Sequence, residues 1–247
     1  MDTIVLTTAN SKTIDESHKY SYKLTNAMRL DDHYICLSNL SMYYTWRNIK
    51  ASYGNNKMRY HIGPDDGATG KQYVDVVLPD GSYSIRDINN YLHMQMIANK
   101  DTTKDDYPIS IYSNSTLNRV SIVTRPGCKI DLSDGMAEFL GFSDGVINNS
   151  SHGDLVPKIE RVETVMVHCN VAQNNFTQDS NLIFSFVPDT PFGTQLHKRP
   201  NFPLWRQARK NSDIREIDIW FTDQLYRPLE IEDNILVEIQ LAPKSFI

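Results

Sequence analysis

Between Arg215 and Leu241 the chain alternates. Ile217, Ile219 and Phe221 fall on one side, and Glu216, Asp218 and Trp220 on the other. A period of two is the signature of a strand with one buried face and one wet face. Asp223-Gln224 and Arg227-Pro228 break the run, after which Ile235, Val237, Ile239 and Leu241 resume the same spacing. Four aliphatic residues at every second position cannot share one face of a helix. The stretch therefore predicts two strands joined by a short polar loop, a terminal hairpin whose aliphatic faces close the core of an antiparallel β domain. It holds no set of catalytic side chains, so the function is expected to lie in surfaces.

A chain of 247 residues can bury a large core as one domain. Lysine and arginine number 25 against 30 aspartates and glutamates, a net charge of −5, so no global basic field points to nucleic acid. Cys36, Cys128 and Cys169 are odd in number and far apart, with no CxxC pair, which argues against a disulfide framework and fits a reducing compartment. The first residues lack the basic and apolar regions of a signal peptide, and no window is apolar enough to span a membrane. Synthesis in a cytoplasm is the expectation.

Along the chain, residues 1–18 are mostly polar and read as an N-terminal arm. Strands are expected at Tyr20–Leu24, within Tyr34–Trp46, at Met58–Tyr60 and at Tyr73–Leu78. Ile85, Ile88, Leu92 and Met96 then fall at helical spacing, and Ser84 with Asp87 forms a capping box, predicting a helix over about 84–98. Ile109–Tyr112 and Arg119–Thr124 read as a hairpin around Asn114-Ser115. Ser133 and Gly141 bracket a second short helix. Val162–Val167 and Leu182–Val187 resume strand character, and residues 188–213 lack periodicity, as functional loops of that length often do. No repeat and no composition shift marks a boundary, so residues 19–247 are expected to be one domain.

Chemical motifs fail on inspection. Gly67-Ala-Thr-Gly70-Lys71-Gln72 lacks the first glycine of a phosphate loop, where Asp65 stands, and lacks the hydroxyl after the lysine. His168 and Cys169 are adjacent on a strand, so they point to opposite faces. The pairs Asp31-Asp32, Asp65-Asp66 and Asp105-Asp106 sit beside turn formers, where solvated aspartate is ordinary. No catalytic residue, metal site or cofactor is expected, and the chain is not expected to be an enzyme. The segment 197–210 stands apart. It carries Lys198, Arg199, Arg206, Arg209 and Lys210 without an acidic residue, and Phe202 and Trp205 lie among them. Cations interleaved with aromatic rings can grip an acidic partner or a nucleic-acid backbone, and tryptophan and arginine commonly anchor interfaces. Lys198, Arg199, Phe202, Trp205, Arg206 and Arg209 form the candidate interface.

The order of short motifs carries a resemblance. Leu37-Ser-Asn-Leu-Ser-Met-Tyr-Tyr-Thr-Trp-Arg-Asn-Ile49 is followed by Leu78-Pro-Asp-Gly-Ser-Tyr-Ser84 and its helix. Arg119-Val-Ser-Ile-Val123, Phe139-Leu-Gly-Phe142, Val165-Met-Val-His-Cys-Asn170 and Phe184-Ser-Phe-Val-Pro188 come next, and Ile217-Asp-Ile-Trp-Phe-Thr-Asp-Gln-Leu-Tyr-Arg-Pro-Leu229 closes the series. Over about residues 20–241 this layout resembles the minor capsid (penton) proteins of Polinton/Maverick elements and adintoviruses. That family often has glycine just after the Asp-x pair of the last hairpin, where this chain has Leu225-Tyr226. The resemblance implies an all-β fold, a single jelly-roll sandwich of antiparallel sheets with two short inserted helices. It implies a structural subunit of the virion, five copies to a capsid vertex, beside a double-jelly-roll major capsid protein. The rival reading is a cellular jelly-roll module, lectin- or cytokine-like, that binds a ligand through its loops. An enzyme whose carboxylates converge from separate loops is a third.

Overall fold

The computed structural model describes residues 2–9, 12–14, 19–63, 73–102, 105–173, 181–210, 213–231 and 234–246. The phosphate-loop look-alike at 67–72, Asp65-Asp66 and Asp15–His18 lie outside them. In chain order the strands begin with β1 (Asp2–Thr7), β2 (Lys12–Ile14), β3 (Lys19–Arg29) and β4 (His33–Tyr43). Then come β5 (Lys57–His61), β6 (Val74–Val77), helix α1 (Ile85–Ala98), β7 (Ile109–Asn114), β8 (Arg119–Thr124) and β9 (Lys129–Leu132). Helix α2 (Asp134–Leu140), β10 (Val146–Ile147) and β11 (Ser151–His152) follow. The chain closes with β12 (Val165–Cys169), β13 (Ala172–Gln173), β14 (Leu182–Phe186), β15 (Gln195–Lys198), β16 (Arg206–Ala208), β17 (Asp213–Thr222) and β18 (Leu236–Pro243).

Contacts divide the chain into two compact units, residues 1–46 with 162–247, and residues 47–161. The sequence reading expects a single domain over 19–247. The second unit is an insertion between β4 and β12; ten of the chain's eleven glycines fall within it and only Gly193 outside, a compositional step that the expectation of a single domain overlooks.

In the first unit one sheet runs β1-β18-β4, with β15 and β16 both on the far side of β4 and β13 beyond β16. The other runs β14-β12-β17-β3-β2. Take the eight main strands β1, β3, β4, β12, β14, β15, β17 and β18 as first to eighth. One sheet then reads first–eighth–third–sixth and the other second–seventh–fourth–fifth, every pairing antiparallel. That is the strand order of a jelly roll, two Greek keys folded into facing sheets. Its core joins Ile35, Leu37, Leu40, Val237, Ile239 and Leu241 of one sheet to Val165, Val167, Ile217, Ile219 and Phe221 of the other. Each such side chain, fully buried, contributes about 1.5–3 kcal/mol.

Two sequence expectations change here. The last two strands are not a hairpin. β17 lies between β12 and β3, while β18 lies between β1 and β4, so the two face each other across the core. Alternation specifies which face of a strand is buried, and it is silent about the strand's neighbours. The link leaves β17 through a turn built on Asp223, buried to 2% exposure. Its Oδ1 accepts from the amides of Leu225 (2.8 Å) and Arg227 (3.0 Å), and Arg227 Nε donates to its Oδ2 at 2.6 Å. Tyr226 takes φ +60°, the left-handed conformation that glycine adopts at no cost. The expected N-terminal arm likewise contains strands, β1 against β18 in one sheet and β2 against β3 in the other. Inside β1, Leu6 is buried.

The inserted unit has two small antiparallel sheets, β10-β9-β5-β6 and β11-β8-β7, around a core that includes Met58, Tyr60, Ile111, Ile122, Ile130 and Phe139. Both predicted helices lie here. Ser84 caps α1 reciprocally: its hydroxyl accepts from the Asp87 amide (3.2 Å) and its own amide donates to Asp87 Oδ2 (3.0 Å). Ile85, Ile88, Leu92 and Met96 are its buried residues, as their spacing predicts. α1 also serves the edge of β7. Asn89 Oδ1 accepts from the Ile111 amide at 2.7 Å, and His93 Nε2 lies 3.0 Å from the Ile109 carbonyl. Side chains thus stand in for a neighbouring strand and cover an edge that would otherwise invite pairing. α2 starts at the Ser133 cap and stops at Gly141, whose φ of +82° ends the helix. Asn48 ties the base of the unit together. Its Nδ2 donates to the carbonyls of Tyr83 (2.9 Å) and Ile159 (3.2 Å), and its Oδ1 accepts from the Tyr83 amide (2.9 Å).

Candidate interaction surface

The aperiodic stretch after β14 is largely a sheet edge. Gly193 N donates to Tyr44 O (2.8 Å) and Tyr44 N to Thr194 O (3.0 Å), after which β15 pairs Gln195–Lys198 with Tyr43–Leu40. β16 pairs Arg206 and Gln207 with Ile35 and Tyr34. β15 and β16 are therefore one strand line along β4, interrupted by a bulge. Residues 199–205 span a stretch that residues 36–39 cover on β4, since Lys198 opposes Leu40 and Arg206 opposes Ile35. The three surplus residues must loop outward. Pro200 and Pro203 have no amide proton and cannot join a ladder, which keeps the loop off the sheet.

The six candidate residues separate. Lys198 is structural: its Nζ bonds Asp189 Oδ2 at 2.6 Å and sits 5.4 Å from the centre of the Phe186 ring, and its side chain is only 15% exposed. The pair holds the Asp189 carboxyl below the ordinary carboxylate range, chiefly through the hydrogen bond from Lys198. Arg206 is half-buried in β16, and its Nε finds no hydrogen-bond partner among the described residues. Trp205 is half-buried. Arg199, Phe202 and Arg209 are exposed, Phe202 to 78%. Arg209 is held by its backbone amide, 2.7 Å from Val171 O, with its guanidinium turned outward. The outward set is thus Arg199, Phe202 and Arg209. Leu204 at the bulge and the neighbouring Lys210 are also exposed. Charge counting could not separate these groups, because Lys198 looks like its neighbours until Asp189 and Phe186 fold beside it.

Elsewhere, His168 and Cys169 are both fully buried and part to opposite sides of β12, as strand geometry predicts. Cys169 joins the core, and burial pushes its thiol up to about 12. His168 Nε2 lies 2.8 Å from Thr222 Oγ1, and its ring stacks on Trp220 with centroids 5.2 Å apart. Among the described residues no cluster of three or more His, Cys, Asp and Glu side chains is arranged to hold a metal. Asp75, Asp131 and Asp134 line one open concavity of the inserted unit, but Lys57 and Arg59 line it with them, and Arg59 bonds Asp131 at 2.6 Å. No helix among the described residues is long and apolar enough to cross a membrane.

No protein-family model matches the chain, and no curated protein matches it. Among solved structures it is similar to a mavirus penton protein, with a TM-score of 0.49 and 11% identity over 98% of this chain and 99% of that one. It is similar to the same degree to a chain of the Sputnik virophage particle, with a TM-score of 0.49 and 11% identity over 100% and 99%.

Proposed function

We infer that this chain is a structural capsid protein, a penton or minor capsid subunit of a virion. The observation that carries the reading is the jelly-roll strand order, in which eight main strands of two facing sheets find their places although an inserted unit, residues 47–161, stands between the third and fourth. Jelly rolls serve in capsids and in lectin-like modules alike, so fold alone does not choose between them. The order of short sequence motifs, which resembles that of Polinton/Maverick and adintovirus pentons, favours the capsid reading. In this reading five copies form a ring at a vertex beside a double-jelly-roll major capsid protein, made in the host cytoplasm and residing in the particle. The subunit acts through contacts rather than chemistry and needs no cofactor.

Co-expression with a major capsid protein, followed by particle imaging, tests this. The chain should appear at five-fold vertices. A chain never incorporated, and binding a glycan array as a monomer, would replace the capsid reading with the ligand-binding module.

A further inference from the structure

We propose that the basic bulge at 199–205, with Arg209 beside it, docks on the β1 edge of a second copy of this chain. The contact is head-to-tail between unlike edges of one sheet. The proposal rests on the self-assembling capsid reading and goes beyond it by naming the two faces.

Charge is segregated within the jelly-roll unit. Residues 198–210 hold five cations and no carboxylate, while the rest of 1–46 and 162–247 holds sixteen carboxylates against seven cations. The outward cation Arg199 opens a loop that exposes Phe202 and Leu204, and the exposed Arg209 and Lys210 follow β16 on the same edge, so apolar side chains stand between cations along the chain. Such a face cannot meet itself across a two-fold axis, because like charges would be brought together and desolvated. It requires an unlike patch, and an unlike patch makes the contact heterologous, the kind that closes into a ring.

The opposite edge of the same sheet supplies one. β1 is the outermost strand there. Val5 is 43% exposed on the outward face, with the half-exposed Glu238 of β18 directly across from it, and Asp2 is exposed at the start of the same edge strand, in phase with Ile4 and Leu6 and so on the other face. An edge-on contact meets side chains of both faces of β1, so an apolar residue with one carboxylate beside it and another at the strand's start is the complement of Phe202 with arginines before and after it in the chain. Because the two patches terminate one sheet, a repeated contact adds subunits in a constant sense.

Light scattering across protein concentration and salt tests this, using the full chain and three variants. R199E/R209E and D2K/E238K should each raise the concentration for half-assembly by about tenfold or more, and the four-fold combination should restore it to within about threefold. Cysteines introduced by F202C and V5C should cross-link between copies, and the native thiols will not interfere because all three are buried. Circular dichroism confirms that each variant folds. If the wild type assembles and neither charge reversal weakens it, the proposed faces are wrong while the capsid reading stands. If the wild type neither assembles nor enters particles, both fall. If R199E/R209E instead abolishes retention of a single-stranded oligonucleotide and leaves assembly unchanged, the bulge is a nucleic-acid contact and the proposal is overturned.

Discussion

Replacing Asn48 by alanine should loosen the inserted unit at its base. The side chain is 6% exposed and makes three hydrogen bonds, to Tyr83 O, Ile159 O and Tyr83 N, at 2.9, 3.2 and 2.9 Å. Its backbone carbonyl also accepts from Asn55 Nδ2 at 2.8 Å, and Asn55 Oδ1 in turn accepts from the Lys50 amide at 3.0 Å. A hydrogen bond contributes about 0.5–1.5 kcal/mol net, and a buried group left without its partner costs more than the mean. Three lost bonds therefore sum to roughly 2–4 kcal/mol for Asn48→Ala. Because Ile159 lies near the end of the unit and Asn48 near its start, the loss should concentrate where the two ends are joined. Native-state amide exchange is the suitable assay, since a chain with two compact units need not unfold in one step. The Tyr83 amide should exchange faster by the factor that the free-energy loss sets, whereas core amides of β12 and β17 should keep their protection. Asn48→Asp sharpens the test. It keeps the acceptor facing Tyr83 N but aims a carboxylate at two carbonyl oxygens, so that variant should recover stability toward acid as the group protonates. Unchanged exchange at Tyr83 in Asn48→Ala, or a loss below about 1 kcal/mol, would refute the clasp as a load on stability.

Two further outcomes follow from the inserted unit. Burial lowers the His93 pKa, opposed by the bond to the Ile109 carbonyl, so the unfolded imidazole takes up its proton at higher pH than the folded one. The unfolded state then binds more protons in the window below the ordinary histidine value, and stability should fall as pH drops through it. Urea midpoints between about pH 7 and pH 5 should slope less in His93→Gln than in the wild type, and parallel slopes would exclude the effect. Gly141 combines φ +82° with a position where a Cβ would lie 2.5 Å from Leu155 O and 3.0 Å from Pro157 N. Gly141→Ala should cost about 2–4 kcal/mol, from left-handed strain plus a backbone shift, and a midpoint change below about 1 kcal/mol would show that the loop yields freely.

Much of this protein is local and was readable as such. The period of Ile217–Phe221 and Ile235–Leu241 fixes which side chains enter the core, and those residues are buried. Ser84 with Asp87 sets the start of α1, and Ser133 with Gly141 sets both ends of α2, through bonds that span three or four residues. The hairpin of β7 and β8 is equally short-range. These features need only nearest neighbours along the chain, so sequence alone determines them.

What the tertiary structure decided is partnership. β17 and β18 carry the same alternation whether they pair with each other or face each other across a core, because alternation is a property of one strand and pairing is a property of two. The insertion of residues 47–161 leaves a trace in composition, ten of the eleven glycines, but both cores are built from the same apolar residue types, so burial patterning does not mark its ends. At the candidate surface, five cations in thirteen positions look alike in sequence. Folding brings Asp189 and Phe186 to Lys198 and lays Arg206 into β16, leaving Arg199, Phe202 and Arg209 outward. A side chain's freedom to meet a partner depends on what lies beside it in space, and that is settled only when distant strands come into register.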